Sequence, residues 1–215
     1  MINKETIDII EKYYHARDHN ADYNKNNLGF GLIHYALIRN IRPKNILCVG
    51  SHKGYIPSIL ALACKNESLG IVDFVDAGYS SKVKDEVSRA WGGIGIWKTA
   101  TKDYWKPLGV EDYIDIYCMT IEEFIDKYKE RFYEYVYIDA NHSYEGVKGE
   151  FELLWERVLV GGFITFHDIL VDRTTDAGKC GVKRFWNEIK DNYSCITINK
   201  TAGLGIIQKT QKELK

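Results

Sequence analysis

Short apolar runs alternate along the chain with longer stretches of helical periodicity. The clearest run is Asn45–Val49, bounded upstream by Pro43 and downstream by Gly50. It is apolar on both faces, which suits a parallel strand covered on both sides. Gly70–Asp76, Tyr113–Cys118, Tyr133–Asp139 and Phe163–Asp168 have the same character, the last entered through a turn at Gly161 and Gly162. Ser194–Asn199 and Leu204–Lys209 follow, joined by four residues ending in Gly203, short enough for an antiparallel hairpin. Between the runs the periodicity predicts helices. Ile2–Arg17 carries Ile7, Ile10 and Tyr14 on one face, and Gly29–Asn40 carries Leu32, Ile33, Ala36 and Leu37, stopping before Pro43. Further helices are expected at Tyr55–Lys65, Ile121–Lys129, Tyr144–Leu159 and Gly181–Asn192. Thr120 is placed as an N-cap, with Glu122 and Glu123 favourable in the first turn. Arg17–Asn27 is polar and reads as a loop, and Ser80–Trp105, with a glycine–tryptophan cluster from Trp91 to Trp97, has no regular pattern.

Strands and helices in alternation argue for an α/β fold, a mostly parallel sheet with helices on both faces and one strand reversed by the closing hairpin. With 215 residues, one domain is expected. Residues 1–44 would form an N-terminal helical cap over the ligand end of the sheet, and residues 45–209 the cofactor-binding core. Ligands in such sheets bind beyond the carboxyl ends of the strands, near the point where strand order reverses. Attention therefore falls on Gly50, Asp76, Met119, Thr120, Asp139 and Asp168.

Charge narrows the choice of partner. Lys and Arg number 29 against 30 Asp and Glu, a net charge of -1, so a nucleic-acid footprint is not supported. Arg39, Arg42 and Lys44 read as a solvated face. The five cysteines include no C-x-x-C pair and read as reduced core residues. No run approaches the ~20 apolar residues of a membrane span, and the polar start of the chain does not resemble a signal peptide. A cytoplasmic enzyme or binding domain acting on a small molecule is the expectation, with a homo-oligomer left open.

Gly50 and Gly54 bracket a tight turn between the first strand and its helix, where glycine allows close approach of a ligand and the helix N-terminus presents its amides. Taken alone, the turn is equally well read as structural punctuation. Asp76 lies about 26 residues past Gly50, close to the separation at which an acidic residue meets a ribose in dinucleotide folds. The fourth strand ends in Asp139, with His142 in the next turn, and the fifth ends in His167 and Asp168. Two strand-end carboxylates can converge on a hard divalent cation, and a histidine beside them can act as a general base. Successive strand residues point to opposite faces, so His167 is expected to face away from the site of Asp168.

The segments Asp139-Ala-Asn-His142-Ser-Tyr144-Glu-Gly-Val147 and Gly161-Gly-Phe-Ile-Thr-Phe-His167-Asp168 resemble the class I S-adenosylmethionine-dependent methyltransferases. The nearest branch has a D-x-x-H-[ST]-Y segment and includes small-molecule and sugar O-methyltransferases. The Gly181-Val-Lys-Arg-Phe185-Trp186 helix and the strand Gly203 to Ile207 also resemble it, so the likeness covers roughly residues 45–209. It implies a Rossmann-like three-layer sandwich with a seven-stranded sheet. By the same resemblance Gly50, Ser51 and Gly54 would line the methionine moiety of S-adenosyl-L-methionine, Asp76 would bind its ribose, and Met119 and Thr120 would flank its adenine. Asp139 would sit near the methionine end and act with His142, the general base. Asp139 and Asp168 would hold a magnesium ion where one is bound. Two positions depart from the family pattern: Cys48 stands where an acid is common, so that Asp139 would hold the methionine ammonium, and Ile169 stands where catechol-type relatives have an amide.

Two other readings remain. A nicotinamide-dependent oxidoreductase would also place an acid on a ribose, but the turn is Gly-x-x-x-Gly and not Gly-x-Gly-x-x-Gly. A non-catalytic cofactor-binding protein with the same fold draws support from Cys48 alone. For Tyr14, His15, His19 and the segment from Trp91 to Trp97, packing or surface exposure is expected ahead of substrate contact.

Overall fold

The computed structural model describes residues 2–79, 94–175 and 178–211. Five strands run parallel: β1 (Asn45–Val49), β2 (Ile71–Asp76), β3 (Ile114–Cys118), β4 (Tyr133–Ile138) and β5 (Val158–His167). A two-residue pair, β6 (Thr174–Thr175) and β7 (Gly178–Lys179), forms a separate antiparallel ladder. The chain then closes with β8 (Ser194–Ile198) and β9 (Leu204–Gln208). The main sheet has seven strands in the order β3-β2-β1-β4-β5-β9-β8, with β9 antiparallel to both neighbours. The helices are α1 (Lys4–Tyr14), α2 (Phe30–Ile41), α3 (Tyr55–Glu67), α4 (Ile121–Lys127), α5 (Tyr144–Trp155) and α6 (Val182–Ile189).

Alternate strand residues feed two cores. Ile46, Cys48, Phe74, Tyr135 and Tyr137 pack under α1, α2 and α3. Leu47, Val49, Val136, Ile138 and Phe166 pack on the other side with α4, α5 and α6. Each strand of the sheet's centre is therefore buried on both faces, as continuous apolar runs require. Thr120 caps α4 as its position suggests: its hydroxyl accepts from the Glu123 amide while the Glu123 carboxylate accepts from the Thr120 amide.

Three expected boundaries or faces shift. The buried side of α2 is Phe30, His34 and Ile38, with Leu32 and Ala36 exposed. The apolar pattern misplaces this face because a histidine is buried on it, sharing a 2.5 Å hydrogen bond with the Tyr135 hydroxyl. Helix α5 ends at Trp155, well before Leu159, since Val158 already pairs with Tyr133. Gly161 and Gly162 lie inside β5 and not in a turn before it. They sit beside the register shift between Tyr133 and Tyr135, and the Gly161 amide donates to the Lys209 carbonyl of the C-terminal edge. Of the glycine–tryptophan cluster, Trp91 to Gly93 fall outside the described residues.

Strand order reverses at β1, which has β2 on one side and β4 on the other. The crevice there opens between Gly50 and Asp139. The Asp139 amide donates to the Val49 carbonyl at 2.9 Å, and Gly50 has φ +70°. An added Cβ at Gly50 would lie 2.3 Å from the Asp139 carbonyl oxygen, so both the backbone conformation and the space demand glycine. Gly50→Ala should therefore lower the unfolding free energy by at least about 2 kcal/mol, read from urea denaturation midpoints.

Candidate active site

The site begins with strand parity. Tyr135 and Tyr137 point to the face covered by α1, α2 and α3, and Asp139, two residues on, continues that side of β4. The Tyr137 hydroxyl donates to Asp139 Oδ2 at 2.9 Å. The turn that follows is held at several points. Glu150 on α5 accepts from the Asn141 amide at 3.1 Å, Ser143 caps α5 by accepting from the Gly146 amide, and the Gly181 amide donates to the His142 carbonyl at 2.8 Å. So fixed, His142 sets its Nε2 3.1 Å from Asp139 Oδ1 and 3.4 Å from Asp168 Oδ2. Its ring keeps a water-facing side, with the side chain 42% exposed.

The end of β5 differs from expectation. Asp168 has φ +62°, a left-handed conformation that breaks the alternation of the strand. As a result His167 and Asp168 both reach the same cluster. His167 Nδ1 lies 3.1 Å from Asp168 Oδ1 and 3.5 Å from Asp139 Oδ1, and its Nε2–H donates to the Asp18 carbonyl at 3.2 Å. His19, in the loop between α1 and α2, stacks on His167 with ring centroids 4.1 Å apart and planes 27° from parallel. His19 is buried, and its Nδ1 has no hydrogen-bond partner.

Charges in this cluster shift one another. Burial pushes His167 down, but Asp139 and Asp168 outweigh it and raise its pKa to about 10, so its ring is an imidazolium at neutral pH. Burial raises the Asp139 carboxyl, yet His167 and His142 hold it well below the usual carboxylate range. For His142 burial works downward, and the two carboxylates reverse that to a net rise. His19 is lowered well below the ordinary imidazole range, by burial first and by the neighbouring His167 second.

The crevice at β1 and β2 carries the other expected residues. Ser51 is buried in the turn after Gly50, and the Gly54 amide donates to the Ser51 carbonyl. Gly54 rests on Trp105 and Trp97, whose rings stack 5.7 Å apart, so its lack of a side chain is a packing requirement. Asp76 ends β2, its Oδ1 accepting from the Gly78 amide at 2.8 Å. Burial pushes its pKa up to about 6, against the pull of the amides it faces. Cys48 is fully buried, and burial raises its thiol well above the ordinary range, so it presents no charge to the crevice. Asp76 pairs in register with Cys118, which puts Met119 and Thr120 one strand further out. Met119 packs against the core and the Thr120 side chain is committed to its cap.

The structure thus gathers Asp139, His142 and Asp168 in one cluster, backs Gly50 onto Asp139, and sets Asp76 at the adjacent strand end. Tyr14 and Trp97 are packing residues of an aromatic cluster with Tyr104 and Trp105, and His15 lies exposed against Tyr23. Tyr137 and Glu150 are members that the sequence reading did not name, and His19, expected as packing or surface ahead of substrate contact, joins them by stacking on His167. The position of Tyr137 two residues before Asp139 is a period-two signal for it, whereas nothing local marks Glu150 or His19.

The chain matches the family model described as "Methyltransferase domain" over residues 47–169. No curated protein matches it by sequence. Among solved structures it resembles an O-methyltransferase from Bacillus cereus in complex with SAH, with a TM-score of 0.62 and 14% identity, over 97% of this chain and 92% of that one. It also resembles the SAH-bound methyltransferase PaMTH1 from Podospora anserina, with a TM-score of 0.67 and 14% identity, over 98% and 89%. A third is the O-methyltransferase TomG from Streptomyces achromogenes in complex with SAM, with a TM-score of 0.61 and 15% identity, over 98% and 91%. At such identities the likeness speaks for the fold. Among the described residues no helix is long and apolar enough to cross a membrane. The family match runs from Leu47 within β1 to Ile169, two residues past β5, spanning the crevice, the Asp139–His142 turn and Asp168, and on that match the protein belongs to the methyltransferase-domain family.

Proposed function

We propose that the protein transfers the methyl group of S-adenosylmethionine to a hydroxyl oxygen of a small molecule or sugar, with His142 as the general base. The observation that carries this reading is the contact of Asp139 Oδ1 with His142 Nε2 at the carboxyl end of β4, directly against the glycine turn of β1. Family membership and the SAH- and SAM-bound structures of the same fold support the cofactor.

The chemistry asks little covalent work of the protein. The sulfonium methyl is electrophilic by itself, so the chain must align an oxygen in line with it and take the hydroxyl proton. A new C–O bond forms as the S–CH3 bond breaks, S-adenosylhomocysteine leaves, and the proton passes to His142. Asp139 accepts from Nε2–H, which leaves Nδ1 as the basic nitrogen, and the raised pKa of the ring strengthens it as an acceptor. Asp76 is placed to accept from the ribose hydroxyls, Ser51 and the glycines to approach the methionine moiety, and Met119 with Thr120 to flank adenine. Asp139, the charged group nearest the turn, takes the methionine ammonium that Cys48 cannot.

A divalent cation on Asp139 and Asp168 would lower the pKa of a bound hydroxyl. Magnesium prefers an all-oxygen shell. Here both carboxylates face imidazole nitrogens at 3.1–3.5 Å, and the next residue is the buried Ile169, which offers no side-chain oxygen. The donor set is mixed nitrogen and oxygen and fits magnesium poorly.

Titration calorimetry should find binding of S-adenosylmethionine and none of NADH; the reverse would overturn the reading. His142→Ala should lower kcat by about 100-fold while leaving cofactor affinity within about twofold, measured by S-adenosylhomocysteine release over a panel of sugars and phenols. Because a base must be neutral to act, kcat should climb with pH along a limb above the ordinary imidazole value of ~6.5. Asp76 gives a test with opposite signs. Its raised pKa means that its contribution to stability is fully present below its unfolded value of ~3.9 and is lost as pH rises through about 6. Asp76→Asn should therefore unfold at higher urea than the parent at pH 7.5, by about 1–2 kcal/mol after allowing for its partial exposure, and show no such gain at pH 4. The same variant should bind S-adenosylmethionine about tenfold more weakly, for want of a charged acceptor at the ribose.

A further inference from the structure

We propose, resting on the S-adenosylmethionine reading, that Trp97 and Tyr104 are positioning residues of the cofactor turn, holding residues 50–54 in the shape that receives the methionine end of the ligand. They act through the backbone of the turn. The Trp97 Nε1–H donates to the His52 carbonyl at 3.0 Å. The Tyr104 hydroxyl donates to the Lys53 carbonyl at 2.9 Å, with the Tyr13 carbonyl as its next acceptor at 3.4 Å. Gly54 follows, where an added Cβ would lie 2.7 Å from a ring carbon of Trp105 and 3.0 Å from one of Trp97. Three consecutive residues of the turn are thus gripped by one aromatic segment, residues 97–105.

The backbone of His52 makes this grip more than packing. Its φ is +35°, a left-handed value that is strained for any residue but glycine. Such a conformation persists only where the surroundings over-determine it, and ligand clamps are one of the places where it occurs. The carbonyl that Trp97 holds belongs to that residue. Trp105 supplies the contrast. It lies in the same stack, and its buried Nε1 has no hydrogen-bond partner, so packing in this cluster does not require the indole N–H to be bonded. The Nε1–H of Trp97 is bonded, and to the turn. The clamp is itself fixed from two directions. The ring of Phe74 on β2 meets Trp97 edge-on, with centroids 4.6 Å apart, and the Tyr14 hydroxyl of α1 donates to the Tyr104 carbonyl at 2.8 Å. The shape of the turn is therefore set by β2 and the N-terminal cap as well as by its two glycines.

The test uses the full chain and two variants, Trp97→Phe and Tyr104→Phe, each of which keeps a ring and removes one donor. Each protein is titrated by calorimetry with S-adenosylhomocysteine and with methylthioadenosine, which has the adenosine but lacks the amino-acid end. Trp97→Phe should bind S-adenosylhomocysteine about tenfold more weakly than the parent, and Tyr104→Phe about fivefold. Methylthioadenosine should stay within about twofold in both. A general loss of stability would not separate the two ligands, and circular dichroism at the titration temperature checks the fold. Equal weakening of both ligands, or unchanged affinity for S-adenosylhomocysteine in both variants, would overturn the proposal and leave the cluster as packing. Should Trp97→Phe fail to fold, Tyr104→Phe carries the same comparison. A parent that binds neither ligand would overturn the S-adenosylmethionine reading and the proposal with it, whereas a parent and variants that bind S-adenosylhomocysteine equally well would overturn the proposal alone.

Discussion

Asp139 carries a largely buried negative charge, its side chain 12% exposed, and faces three donors: the Tyr137 hydroxyl, His142 and His167. An unpaired carboxylate in that position would be costly enough to neutralise itself. With imidazoles on two sides it stays ionised, and much of the geometry at the strand ends follows from that need. The parity of β4 brings Tyr137 under Asp139. The pairing of Ile138 with Phe166 sets His167 beside it on the same face. The left-handed turn at Asp168 folds a second carboxylate back onto both histidines. The turn from β4 to α5 is braced by Glu150, Ser143 and Gly181, so that His142 is not free to leave.

The same cluster explains why the first forty residues pack so closely on the sheet. The loop after α1 delivers the Asp18 carbonyl and the ring of His19 to His167. That loop is in turn tied down: the Tyr23 hydroxyl accepts from the Ala16 amide, the Tyr55 hydroxyl donates to the Leu28 carbonyl, and the Phe30 amide donates to the His19 carbonyl. Tyr14 joins the aromatic cluster beneath Gly54, its hydroxyl donating to the Tyr104 carbonyl. Cap and core therefore share one apolar interior, and the candidate site lies where they meet.

Buried polar groups are paired over long distances in sequence: Asp73 accepts from Arg131 and from the Tyr133 hydroxyl, each at 2.8 Å, and the buried Lys209 ammonium donates to the Trp155 carbonyl at 2.6 Å. Among the described residues, His19 Nδ1, His34 Nε2, Glu150 Oε2, Trp105 Nε1 and Glu111 Oε2 are buried without a hydrogen-bond partner. Each such atom is a cost to stability that the apolar packing around it offsets.

The sequence by itself determined the alternation of elements, the two-sided burial of the central strands, the closing hairpin and the strand-end placement of Gly50, Asp76, Asp139 and Asp168. These are local properties: apolar run length, glycine and proline punctuation, and a period of two or 3.6 are all read within a dozen residues. The tertiary structure decided the rest. The buried face of α2 turns on a histidine that finds its partner 101 residues away in Tyr135. The inclusion of Gly161 and Gly162 in β5 turns on pairing with β4 and with the C-terminal edge. Asp168 joins His167 at the site, against strand alternation, because it leaves the strand conformation. His19 reaches it only because the cap folds over the sheet. None of these has a local signal, since each depends on which distant group comes to satisfy a buried polar atom.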